Sequence, residues 1–148
     1  MEIQPDFREW AELLNAHEVE YLIVGSMALA HHGAPRATGV IDFLVRPSAE
    51  NAPRVLKALD EFGFGSLGFT VEDLTNLHNV IQLGYQPVRI DIITSITGVS
   101  WEEAWQGRDQ GNYGGVPVYY LGKREFIMNK RASGRKKDLA DLEELGEE

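Results

Sequence analysis

The chain has 148 residues, 43% hydrophobic and 25% charged, enough to bury a core and too apolar for a disordered chain. It contains no cysteine, which excludes disulfides and thiolate metal sites and fits a cytoplasmic, reducing setting. A formal net charge of −9 disfavours general nucleic-acid binding, although Lys123 to Lys137 holds seven basic residues and one acidic residue.

Phe7, Trp10, Ala11 and Leu14 recur at three- and four-residue steps and predict a helix from Pro5 to His17, with Pro5 suited to its first turn. Tyr21-Leu22-Ile23-Val24 reads as a buried strand ended by Gly25, and Met27 to His32 as a helix stopped by Gly33. A second apolar strand covers Ile41 to Val45. Ser48 caps a following helix with Val55, Leu56, Leu59 and Phe62 on one face, closed by Gly63.

Gly63 to Gly68 reads as a loop, and Thr70 with Asp73 as a capping pair for a short helix at Val71 to Leu74. Asn79 to Leu83 and Arg89 to Ile93 form a hairpin across Gly84-Tyr85-Gln86-Pro87. Ser100 and Glu103 make a capping box for a helix carrying Trp101 and Trp105, whose spacing points to core packing. Pro117 marks Val116 to Tyr120 as an edge strand. Two helices follow, Lys123 to Ala132 and Lys136 to Leu145, parted by Ser133-Gly134. With no repeat and no linker, residues 1–148 are expected to form a single α/β (α+β) domain. No apolar run approaches the ~20 residues of a membrane span. The start Met1-Glu2-Ile3-Gln4-Pro5-Asp6 lacks the basic stretch of a signal peptide.

Three features point to chemistry. Gly25-Ser26 sits at a strand-to-helix turn, where glycine permits close backbone approach, free N–H groups favour phosphate, and the serine adds a hydroxyl donor. Asp42 lies inside an apolar strand, where a carboxylate is costly unless paired or bound to a metal. Asp91 lies in a second apolar strand. Were the two strands neighbours, about 4.8 Å apart, both acids would reach one Mg²⁺. Pairing of Asp91 with Arg89 or Arg36 is the alternative.

The run Val24-Gly25-Ser26-x-Ala28-x-x-x-His32-Gly33-x-x-Arg36-x-Thr38-x-x-Ile41-Asp42 resembles the signature of nucleotidyltransferase-superfamily proteins. It is similar in particular to the small bacterial group related to AbiEii-like abortive-infection toxins. Arg89-Ile90-Asp91 and the stretch from Asn129 to Leu142 extend the resemblance over nearly the whole chain.

The resemblance implies a mixed β-sheet flanked by helices and transfer of a nucleoside monophosphate from an NTP to an acceptor hydroxyl, with release of pyrophosphate. It implies Mg²⁺ (or Mn²⁺) held by three carboxylates. Asp42 and Asp91 would be the catalytic, metal-holding pair, Gly25, Ser26 and Arg36 would meet the nucleotide, and Lys130 would reach triphosphate or sugar. The family's first two carboxylates come as Asp-x-Asp, and here the first of these positions is Val40. Weak metal binding and weakened or absent catalysis are therefore expected, with Val40→Asp expected to raise turnover.

The acceptor is open among tRNA, protein and small molecules, and a homodimer or a protein partner completing the cleft is compatible with so short a chain. A catalytically dead nucleotide-binding or toxin–antitoxin-type partner module is the competing expectation. Metal-dependent phosphoester hydrolysis by Asp42, Asp91 and a histidine is a third. His31 and His32 fall on the helix after the turn, with His32 expected against the Gly33 turn or bonded to the loop that carries Thr38. Lys137 with Asp141 reads as an i, i+4 pair on an exposed helix.

Overall fold

A computed structural model describes residues 3–35, 38–85 and 87–147. In chain order the elements are α1 (Pro5–Ala16), β1 (Tyr21–Val24), α2 (Gly25–His31), β2 (Val40–Val45), α3 (Asn51–Glu61), a 3-10 turn (Gly65–Leu67), α4 (Val71–Thr75), β3 (Val80–Tyr85), β4 (Val88–Ile93), α5 (Trp101–Gln106), β5 (Asp109–Tyr113), β6 (Val116–Tyr120), α6 (Lys123–Ser133) and α7 (Lys136–Glu144). The six strands form one mixed sheet in the order β3-β4-β2-β1-β6-β5.

Strand alternation sorts the side chains onto two faces. Ile41, Phe43 and Val45 of β2 and Ile90 and Ile92 of β4 pack with α1, α3 and α4. Leu44 of β2 joins Ala28, Leu29, Ala104 and Phe126, from α2, α5 and α6, on the opposite face, with Ile93 against them. Asp42 and Asp91, two residues from Leu44 and Ile93, project towards this second layer.

Three sequence expectations need correction. Val116–Tyr120 is not an edge: β6 lies between β1 and β5. Pro117 is accommodated because pairing with β1 is confined to Ile23 and Tyr120, so no ladder partner awaits the missing N–H. The edge on this side of the sheet is β5, which escaped the sequence pattern because Asp-Gln-Gly-Asn-Tyr carries no apolar alternation and only Tyr113 is buried.

The hairpin is tighter than expected, with Tyr85 opposite Val88 and Gly84 still in the ladder opposite Arg89. Finally, α7 is not exposed all round: Lys136 and Lys137 are exposed, whereas Asp138 and Asp141 are buried at 0% and 4% exposure and lie within ion-pair distance of Lys130.

Candidate functional site

β2 and β4 run parallel and place Asp42 directly beside Asp91, with Val40 beside Arg89. On its other side β2 pairs with β1, which sets Val24 opposite Asp42 and delivers Gly25 and Ser26 next to the carboxylate. Gly25 adopts φ +65°, and a Cβ at that position would lie 2.2 Å from Asp42 Oδ2, so the acid packs directly on bare backbone. Ser26 is the second residue of α2, whose N-cap, Val24, makes no side-chain capping bond. Thr38 Oγ1 accepts from Val40 N–H and donates to Val40 O, both at 3.1 Å, and orders the entry into β2. Gly39 lets the Pro87 carbonyl come within the space of a side chain, and Arg89 N–H donates to Gly39 O at 2.7 Å.

These elements open onto a cleft of about 240 Å³ lined by Gly25, Ser26, Asp42, Lys130, Arg135 and Lys137, among others. Four of the sequence candidates, Gly25, Ser26, Asp42 and Lys130, thus share one opening. Asp91, beside Asp42 in the ladder, is 7% exposed and is not part of the cleft lining. Arg36 lies outside the described residues. Lys130 is not a free phosphate ligand: its Nζ sits 3.3 Å from Asp138 Oδ1 and 3.5 Å from Asp141 Oδ2. Arg135 and Lys137 line the same cleft, although in the sequence they look like part of a basic run.

The electrostatics depart from a metal centre. Arg89 donates to both oxygens of Asp91, Nε to Oδ1 at 2.8 Å and Nη2 to Oδ2 at 3.1 Å. This fork geometry neutralises Asp91 with a fixed internal cation. Burial first, and then the charge of Asp91 and a hydrogen bond between the two carboxyls, push Asp42 up to about 6; Lys137 and Arg89 oppose the shift. A centre for two Mg²⁺ ions requires three ionised carboxylates converging on open space. Here position 40 offers none and Asp91 is occupied by a guanidinium. The residues present do not fit such a centre.

The raised Asp42 has a consequence for stability. Its folded pKa exceeds the ordinary value of 3.8, so the fold bears no penalty from this group below that pH and loses stability as pH rises towards about 6. Asp42→Asn removes the repulsion. At pH 7.5 the variant is expected to unfold with a free energy higher by about 2 kcal/mol, and at pH 3.5 to match the wild type. Denaturant titrations across that pH range check this.

No protein-family model matches the chain, and no curated protein matches it. Solved structures do share its fold. One is a candidate nucleotidyltransferase from Thermotoga maritima, with a TM-score of 0.60 and 16% identity over 98% of this chain and 93% of that one. Another is an antigenic nucleotidyltransferase-like protein from Paracoccidioides brasiliensis, with a TM-score of 0.53 and 18% identity over 91% of this chain and 69% of that one. At such identities the likeness establishes the architecture, a mixed sheet flanked by helices, and leaves activity to be argued from the site.

Proposed function

We propose that this chain is a nucleotidyltransferase-type protein that binds a nucleoside triphosphate in the cleft at Gly25 and Ser26 but transfers its nucleotide poorly or not at all. The observation that carries this is the pairing of Val40 with Arg89: one carboxylate is absent and its neighbour is clamped. Nucleotide binding survives that loss because its groups are different ones. The Gly25 turn allows close approach, Ser26 lines the cleft, and Lys137 lines it too, with its positive charge acting on Asp42. Small-molecule clefts run from roughly 300 Å³ upward, so a cleft of about 240 Å³ suits the phosphate end of a nucleotide, with sugar and base on the more open surface. Any Mg²⁺ or Mn²⁺ would arrive bound to the phosphates and meet Asp42 only weakly.

Calorimetric titration with each of the four NTPs tests the reading. Binding in the micromolar to millimolar range is expected, weakened at least about 5-fold by Ser26→Ala and by Lys137→Met, with labelled transfer to tRNA, protein or small-molecule acceptors at background. Rapid transfer by the wild type would contradict the crippled site. Absence of NTP binding would contradict the pocket and leave the partner-module alternative.

A further inference from the structure

At the far end of α2, away from the cleft, three side chains converge that the transfer site does not use. His31 closes α2, His32 follows it, and Asp109 opens the edge strand β5. His31 Nε2 stands 3.5 Å and His32 Nδ1 3.9 Å from the same oxygen, Asp109 Oδ2. All three donor atoms lie within 4.8 Å of one another. These separations exceed the ~2.7–3.2 Å of an N–H···O hydrogen bond. The 3.5 Å separation is close to the edge of a coordination tetrahedron, roughly 3.3 Å for metal–ligand bonds of about 2.0–2.1 Å, and the 3.9 Å one is somewhat longer.

Both imidazoles are held in orientation. His32 Nε2 contacts the Leu121 carbonyl at 2.7 Å, which places the ring proton on Nε2 and leaves the Nδ1 lone pair towards Asp109. A backbone carbonyl bonded to the far ring nitrogen commonly fixes the tautomer of a metal-bound histidine. The His31 ring stacks on Tyr120 with centroids 4.1 Å apart and planes 4° from parallel. Gly111 keeps that stack free of a side chain, since a Cβ there would come 2.9 Å from Tyr120 and 3.3 Å from His31. The Asp109 side chain is 48% exposed, which leaves the site open to water on one side.

The geometry points to a divalent transition-metal site formed by His31 Nε2, His32 Nδ1 and Asp109 Oδ2, of the kind that takes Zn²⁺, with a solvent-accessible fourth position. Two imidazoles and one carboxylate select zinc-type ions over Mg²⁺, which prefers oxygen ligands throughout. The bound ion would tie the polar edge strand β5 to α2. α2 has seven residues, about 10 Å of helix, so the ion would sit that far from the Gly25 end that lines the cleft.

The test uses the full, untagged chain after chelator treatment, titrated with Zn²⁺ against a chromophoric competitor at pH 7.5 and, separately, with Co²⁺ for its visible ligand-field bands. One ion per chain is expected, with a thermal midpoint that rises on addition of Zn²⁺. His31→Gln and Asp109→Asn, both at exposed side chains, should each weaken binding at least about 10-fold and abolish the thermal shift, whereas His78→Gln should leave both unchanged. Circular dichroism confirms that the variants are folded, and either one alone suffices for the comparison. No stoichiometric Zn²⁺ binding, or equal binding by wild type and both site variants, overturns the proposal.

Discussion

Replacing Val40 by Asp together with Arg89 by Gln is expected to tighten Mn²⁺ binding on the order of 100-fold, while Val40→Asp alone gains less than about 10-fold. The reason lies in the ladder. Position 40 pairs with position 89 across strands roughly 4.8 Å apart, so a carboxylate introduced at 40 lands beside a guanidinium already forked onto Asp91. It would become a second counter-ion of Arg89 instead of a metal ligand. Removing the guanidinium frees Asp91, and three carboxylates then face one volume. This revises the sequence-based expectation that Val40→Asp suffices. Electron paramagnetic resonance of free Mn²⁺ reads the affinity, and pyrophosphate release from NTP should rise in the same order. Equal affinities in the single and double variants would show that Arg89 does not suppress metal binding.

Lys130→Met is expected to lower the unfolding free energy by about 3 kcal/mol and the thermal midpoint by roughly 10 °C. Lys130 is 8% exposed and inserts its ammonium between Asp138 and Asp141. Its charge also lies 5.3 Å from the centre of the Phe126 ring. Truncation leaves two carboxylates buried beneath α6 and α7 with their central cation gone, which costs far more than the pair gains when intact. Arg135 cushions Asp138 through a 2.8 Å bond from Nε to Oδ2, and it is the largest cause of the lowered Asp138 pKa. A double-variant cycle with Asp141→Asn should recover part of the stability. A cost below about 1 kcal/mol would instead place Lys130 among groups held chiefly for the ligand.

Much of this site was legible from residue type and period. Two lone acids, each in an apolar strand, announce a shared polar purpose, and the turn at Gly25-Ser26 marks where a ligand approaches backbone. What the sequence hid were facts of three-dimensional partnership. Arg89 lies two residues from Asp91 on the same strand face, so its capture of that acid was one possibility among several until the bidentate contact appeared. The burial of Asp138 and Asp141 was invisible because charges at helical spacing look the same whether they face water or a buried lysine. β5 carries almost no apolar signal, and its position at the sheet edge follows only from pairing with β6. For the same reason Asp109 could not be connected with His31 and His32, which lie far away in the chain.

The central claim is that nucleotide recognition in this cleft has been separated from metal-dependent transfer. Titrating ATP into the wild-type protein once with excess Mg²⁺ and once with excess EDTA tests it most directly. The account predicts dissociation constants within about 3-fold of each other. Binding more than about 30-fold tighter with Mg²⁺ would mean that Asp42 and Asp91 still hold the ion, and the separation would be refuted.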